Sequence, residues 1–135
     1  MAEDEDYSDR TKNPFWNASD DILKLITGTI ARFGIVSCDY EMSDVLKQQM
    51  KIELVKTLFS LSTILNPNLM KELKDEVLKL EVGKVSMVVS GNQKIKYVYD
   101  KELDKRLWEI VMQINSKIQE KGYFMPSKEE DEDDY

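Results

Sequence analysis

Few side chains in this sequence have the chemistry to act on a substrate. Cys38 is its one cysteine, and no histidine occurs anywhere. A thiol becomes a useful nucleophile when a base or a positive charge holds it as thiolate, and imidazole is the usual partner. Without one, Cys38 is expected to be a small buried or half-buried thiol. The same absence removes imidazole general bases, histidine-dependent triads and nearly all zinc or copper sites built from protein ligands. Carboxylates are plentiful, but they recur at helical spacing, as Lys71 with Asp75, Glu72 with Glu76 and Glu102 with Arg106. That is the pattern of solvated helix faces and i,i+4 pairs. No D-x-[DN]-x-[DN]-G loop, Walker loop, G-x-G-x-x-G or G-x-S-x-G is present, and five glycines leave little for a phosphate cradle. The sequence therefore points away from an enzyme: no catalytic residue, no metal and no cofactor is expected.

The 135 residues suffice for one domain with its own core. The net charge of −7 is unevenly placed: residues 1–16 hold five acidic against two basic side chains, and residues 123–135 hold six against one. Residues 17–122 are left at +1. Such a body has no overall field to draw it to nucleic acid or an anionic membrane, although a local patch can. The longest uncharged run, between Lys56 and Lys71, is interrupted by Asn66-Pro67-Asn68 and is too short to span a bilayer. The acidic opening Met1-Ala2-Glu3-Asp4 lacks a secretory pattern. With a single cysteine, this places the protein in the cytoplasm or another reducing intracellular compartment, away from membranes.

Hydrophobic spacing then sets out the elements. Residues 1–16 are expected to be a flexible acidic segment, 17–122 a single helical domain and 123–135 a disordered acidic tail. Ile22, Leu23, Ile26, Ile30 and Phe33 recur every three or four positions, predicting a helix from Ser19 to Phe33. Asn17 or Ser19 would cap it, Pro14-Phe15-Trp16 would pack on its first turn, and Gly34 would end it. Ile35-Val36-Ser37 reads as a short strand. A second helix is predicted over Ser43 to Leu65 with a seam of Leu46, Met50, Leu54, Leu58, Leu61 and Leu65, widened by Val45, Ile52, Val55, Phe59 and Ile64. Its half from Thr57 onward carries only hydroxyls as polar groups, so it suits either a core or an oligomer interface. A third helix runs to Glu81, burying Leu69, Met70, Leu73, Val77 and Leu80. The period then changes to two: Val85, Met87 and Val89, then Ile95, Tyr97 and Tyr99, alternate around Ser90-Gly91-Asn92-Gln93, predicting a β-hairpin at 84–99. Asp100 opens a last helix to Lys121, with a stripe of Leu103, Leu107, Ile110, Val111, Ile114 and Ile118, closed by Gly122.

The fold expected is mainly α (α+β), with about four helices and one hairpin between helices 3 and 4. In element order it resembles a winged-helix domain, which would place Lys84, Lys94 and Lys96 of the hairpin as candidate nucleic-acid contacts of a transcriptional regulator. The third helix, which should then be basic, balances Lys71, Lys74 and Lys79 with Glu72, Asp75, Glu76 and Glu81. The reading favoured is a non-catalytic interaction or assembly subunit, a homo-oligomer or the binder of a protein partner. Its candidate interface is Leu58, Phe59, Leu61 and Ile64 on the second helix with Trp108 and Val111 on the last. The acidic ends are read as solubilising, as a docking strip for a basic partner, or as a shield over a basic patch.

Overall fold

A computed structural model describes residues 14–123, with side chains from Ser19 onward. Of the expected flexible segment 1–16, residues 1–13 lie outside what it describes and 14–16 are helical. The packing of Phe15 and Trp16 and, of the expected tail 123–135, residues 124–135 also lie outside it. The described chain is mainly helical α+β: four helices, with a two-stranded antiparallel hairpin between the third and fourth.

Helix α1 (Pro14–Ser37) is longer at both ends than its apolar stripe suggested. Proline suits a first helical turn, where its missing N–H is not needed and its φ is preset. Asn17 and Ser19 therefore lie inside the helix and do not cap it. At the other end the stripe continues past Phe33 to Val36, which is buried, while Ile35 faces solvent. Burying Val36 keeps 35–37 helical in place of the expected strand, and Gly34 stays within the helix. The Ser37 hydroxyl donates to the Phe33 carbonyl at 2.8 Å, and the Asp39 carboxylate accepts from the Glu41 N–H to turn the chain. Cys38 is exposed in this turn, where a buried or half-buried thiol was expected.

Helix α2 (Asp44–Leu65) is capped by Ser43, whose hydroxyl accepts from the Leu46 N–H. Its buried face consists of Gln48, Lys51, Ile52, Val55, Leu58, Phe59 and Ser62. The first two positions of the expected seam, Leu46 and Met50, are thus exposed, while Leu54 is half-buried against the core. Polarity concealed the true face: positions 48, 51, 55, 58 and 62 keep helical spacing, but three of them carry polar side chains. Ser62 is satisfied by donating to the Leu58 carbonyl at 2.8 Å. The other two polar residues hold the fourth helix, as described below.

Residues 66–82 bury the five apolar side chains predicted for the third helix, but not as one helix. A 3-10 turn at Lys71–Leu73 leads into a short α3 (Lys74–Leu78), and the chain straightens before Glu81. Val82 is buried as well, which pulls the chain off the helical path and into the first strand. Strands β1 (Gly83–Val89) and β2 (Asn92–Val98) pair in register Val89↔Asn92, Met87↔Lys94 and Val85↔Lys96. Ser90 and Gly91 both take positive φ, 53° and 80°, the two-residue turn whose twist matches that of the strands. Helix α4 (Lys101–Glu120) starts on Asp100, whose carboxylate accepts from the N–H groups of Glu102 and Leu103. It ends at Gly122 (φ 78°), where the Tyr123 N–H reaches back to the Ile118 carbonyl.

Helix α2 is the centre of the molecule, packed against α1, α3 and α4. It runs antiparallel to α1 across the short 38–43 turn. It runs parallel to α4, with Gln48 beside Asp100 at one end and Asn66 beside Tyr123 at the other. The core between them is built from Ile26, Phe33, Val55, Leu58, Ile110, Ile114 and Ile118 among others. The hairpin stands apart from this core: of its strand residues only Gly83 is even half-buried. Among the described residues no helix is long and apolar enough to cross a membrane.

Candidate functional site

The buried polar groups of α2 fix where α4 begins. Gln48 donates through its amide nitrogen to the Asp100 carbonyl at 2.7 Å and accepts from the Asp100 N–H at 3.1 Å. One buried side chain thereby satisfies both backbone groups of the residue that caps the helix. One turn further on, Lys51, only 2% exposed, places its ammonium 2.9 and 3.0 Å from the two carboxylate oxygens of Asp104. The same ammonium lies 5.1 Å from the ring centre of Phe33 and 5.4 Å from that of Trp108. These are cation–π distances, and the pairing is strengthened where water is excluded. Phe33 and Trp108 meet edge to face, 4.8 Å between centres and 87° between planes. Next to this cluster, burial raises the pKa of the Tyr99 phenol, helped by the nearby carboxylates of Asp104 and Asp44.

Trp108 is therefore held on its inner side by a ring and a charge while 41% of its surface remains exposed. It borders a groove of about 660 Å³ along the outer face of α4. Met70 and Met112 share its apolar floor with Trp108, and Lys105, Glu109 and Lys117 stand on its rim. Met112 is 55% exposed and sits four residues after Trp108, so the two form a second apolar stripe on the side of α4 away from the core.

Beside the groove, Arg106 grips Glu76 of α3 through two guanidinium nitrogens and reaches Glu109 at 3.2 Å. The i,i+4 partner expected for Arg106 was Glu102; the fork-shaped guanidinium instead joins two helices. The Arg106 hydrogen bond holds the Glu76 carboxyl below its ordinary pKa, and Glu76 raises that of Arg106 in return. A carboxyl depressed on folding adds stability above its unfolded pKa and loses it as pH falls through the lower folded value. Glu76→Gln should thus lower the melting temperature slightly at pH 7 and leave it nearly unchanged at about pH 3, so that the acid limb between them is flatter. Both side chains are about a third exposed, so solvent keeps the effect small. An acid limb as steep in the variant as in the parent would show that the pair is not formed.

The residues singled out from sequence fall in different places. Leu58, Phe59 and Val111 are buried in the chain's own core and present nothing to a partner. The apolar half of α2 is core because α1, α3 and α4 surround it. Leu61 is half-buried against that core, and Ile64 is 64% exposed but does not border the α4 groove. Of the six candidates only Trp108 stands at the groove. Met112 and Met70 were missed there, although the four-residue step from Trp108 to Met112 was a readable signal. Lys84, Lys94 and Lys96 are exposed on the hairpin but do not share a face: Lys94 and Lys96 project on one side, Lys84 on the other. Among the described residues no cluster of three or more histidine, cysteine, aspartate or glutamate side chains is placed to hold a metal ion.

Comparison with protein-family models, with curated proteins and with solved structures gives no match.

Proposed function

We propose that this chain is a non-catalytic protein-interaction subunit that self-associates through the outer face of α4. The observation that carries the reading is Trp108, oriented by Phe33 and Lys51 yet open to solvent at the floor of the groove. Tryptophan is over-represented among the residues that dominate binding energy, and a rigid anchor loses little entropy when covered. Met112 supplies an adaptable apolar surface beside it, backed by the buried Met70. The rim carries both signs of charge. An antiparallel copy of α4 crossing at Gln113 places Glu109 of each chain opposite Lys117 of the other, which suits a two-fold interface.

Sedimentation of the full chain tests this. The parent is expected to be a dimer whose mass is indifferent to salt. Met112→Glu is expected to be a monomer with a little-changed melting temperature. Trp108→Ala is expected to be a monomer that melts earlier, because it also loses its contacts with Phe33 and Lys51. A monomeric parent, or variants that remain dimeric, would remove the proposal.

A second reading draws on the three exposed lysines of the hairpin, which resemble the wing of a nucleic-acid-binding domain. Weighing against it, α3 is five residues long and bears Asp75 and Glu76, with Glu72 just before it. These would face phosphate with like charge. The same sedimentation runs with a DNA duplex separate the two readings. A complex formed at low salt and lost in a Lys84→Glu, Lys94→Glu, Lys96→Glu variant would put this second reading in place of the first.

A further inference from the structure

The hairpin is short of partners. Two strands alone are marginal in water, and three or more, or a covering element, are needed for independent stability. Here both faces bear apolar side chains, and none of those on the strands is buried. One face sets Val85, Met87 and Val89 across from Lys96, Lys94 and Asn92. From Gly83 to Val98 the chain has three lysines and no acidic residue. Lys84 has Glu81 at 3.8 Å, whereas Lys94 and Lys96 make no ion pair among the described residues. A face of this kind, apolar on one strand and basic on the next, fits a segment that mixes carboxylates with aromatic side chains.

The sequence contains one. Glu129-Glu130-Asp131-Glu132-Asp133-Asp134 is an uninterrupted acidic run followed by Tyr135. The geometry allows it to reach. Tyr123 contacts Asn66 at the far end of α2, while the hairpin root borders Ile52 and Glu53 on the same helix. Those points are separated by about 21 Å of helix at 1.5 Å per residue. Six residues lead from Tyr123 to Glu129, which spans up to roughly 20 Å when extended, and the run itself carries on for about as far again. The acidic N-terminal segment is a poorer match, because Arg10 and Lys12 lie between its carboxylates and the body.

We propose that the acidic run Glu129–Asp134 docks in cis on the Lys94/Lys96 face of the hairpin, covering Val85 and Met87 and shielding the basic patch from other anions. The attraction is between exposed charges within a Debye length, about 10 Å at 0.1 M salt, so it weakens as salt rises.

The test uses the full chain with Cys38→Ser and a nitroxide attached at Tyr135→Cys. Paramagnetic broadening is expected to remove the amide signals of residues 85–96 at low salt and to spare them at about 0.5 M salt. Lys94→Glu with Lys96→Glu is expected to abolish the broadening, and lysines at 129–134 in that background to restore it. Broadening that falls elsewhere, that ignores salt, or that appears from a label at Asp4→Cys instead overturns the proposal. So does broadening found only between labelled and unlabelled chains mixed together. A duplex that shifts the hairpin signals while the label at position 135 leaves them untouched overturns it in favour of nucleic acid.

Discussion

Asp104→Asn is expected to lower the unfolding free energy by about 3–5 kcal/mol, the usual range for removing one partner of a buried ion pair. Lys51 is 2% exposed, so the variant leaves a buried ammonium facing a neutral amide. The reciprocal change is expected to be much milder. In Lys51→Met the stem is kept, the thioether packs between Phe33 and Trp108, and Asp104, whose side chain is 23% exposed, turns to solvent. The double replacement Lys51→Met, Asp104→Leu is expected to come close to the parent, because an apolar pair avoids the desolvation of both charges. Urea unfolding of these proteins together with Asp104→Leu alone closes the cycle for the Met/Leu pair. Equal losses for Asp104→Asn and Lys51→Met would mean that the ammonium is better hydrated than its burial implies.

Phe33→Ala is expected to cost about 3–5 kcal/mol as well, through a cavity in place of a buried ring. Phe33 is 1% exposed and packed in the core, and it is the ring against which Trp108 is set. The loss should therefore reach the groove. In a Trp16→Phe background Trp108 is the one remaining tryptophan, and its near-ultraviolet circular dichroism reports how firmly it is held. Phe33→Ala is expected to diminish that signal and, at temperatures where the variant is still folded, to weaken self-association. Phe33→Leu fills most of the volume and should recover stability, but it should not restore the tryptophan signal. An unchanged signal in Phe33→Ala would show that Trp108 takes its orientation from other neighbours.

These two variants touch the part of the molecule that was hardest to read from sequence. The hairpin was plain, because alternation in Val85-Met87-Val89 around Ser90-Gly91 has little other meaning. The last helix was equally plain, with Asp100 and Gly122 at its ends. The second helix was legible as a helix but not as a surface. Hydrophobicity placed Leu46 and Met50 inward; the structure exposes both and buries Gln48 and Lys51. Nothing local announces that reversal: a lysine on a helix is ordinarily solvated, and only Asp104 and the backbone of Asp100 make these two positions interior. Leu58 and Phe59 misled in the opposite sense, since an apolar run looks the same whether its neighbours come from its own chain or from another. Trp108 was legible because it stands one place off an otherwise regular stripe, and the groove it borders needed Met70, from a different element.

The parallel run of α2 and α4 also bears on the order of assembly. Helices α1 and α2 meet across a short turn, with Phe33 and Lys51 only eighteen positions apart. The bonds from α2 to α4 close loops of 52 and 53 positions at one end and 57 at the other. In equilibrium terms the longer loop matters little, about one and a half doublings and so roughly 1 kcal/mol of extra closure entropy. In time it matters more, because non-local contacts give nothing back until the intervening chain has been gathered. The α1–α2 pair is thus the natural nucleus and α4 the latecomer, docking against a partner whose Gln48 and Lys51 are already in place. Polar groups at the landing end give that last step a single register, where an apolar stripe alone would let the helix slide by a turn.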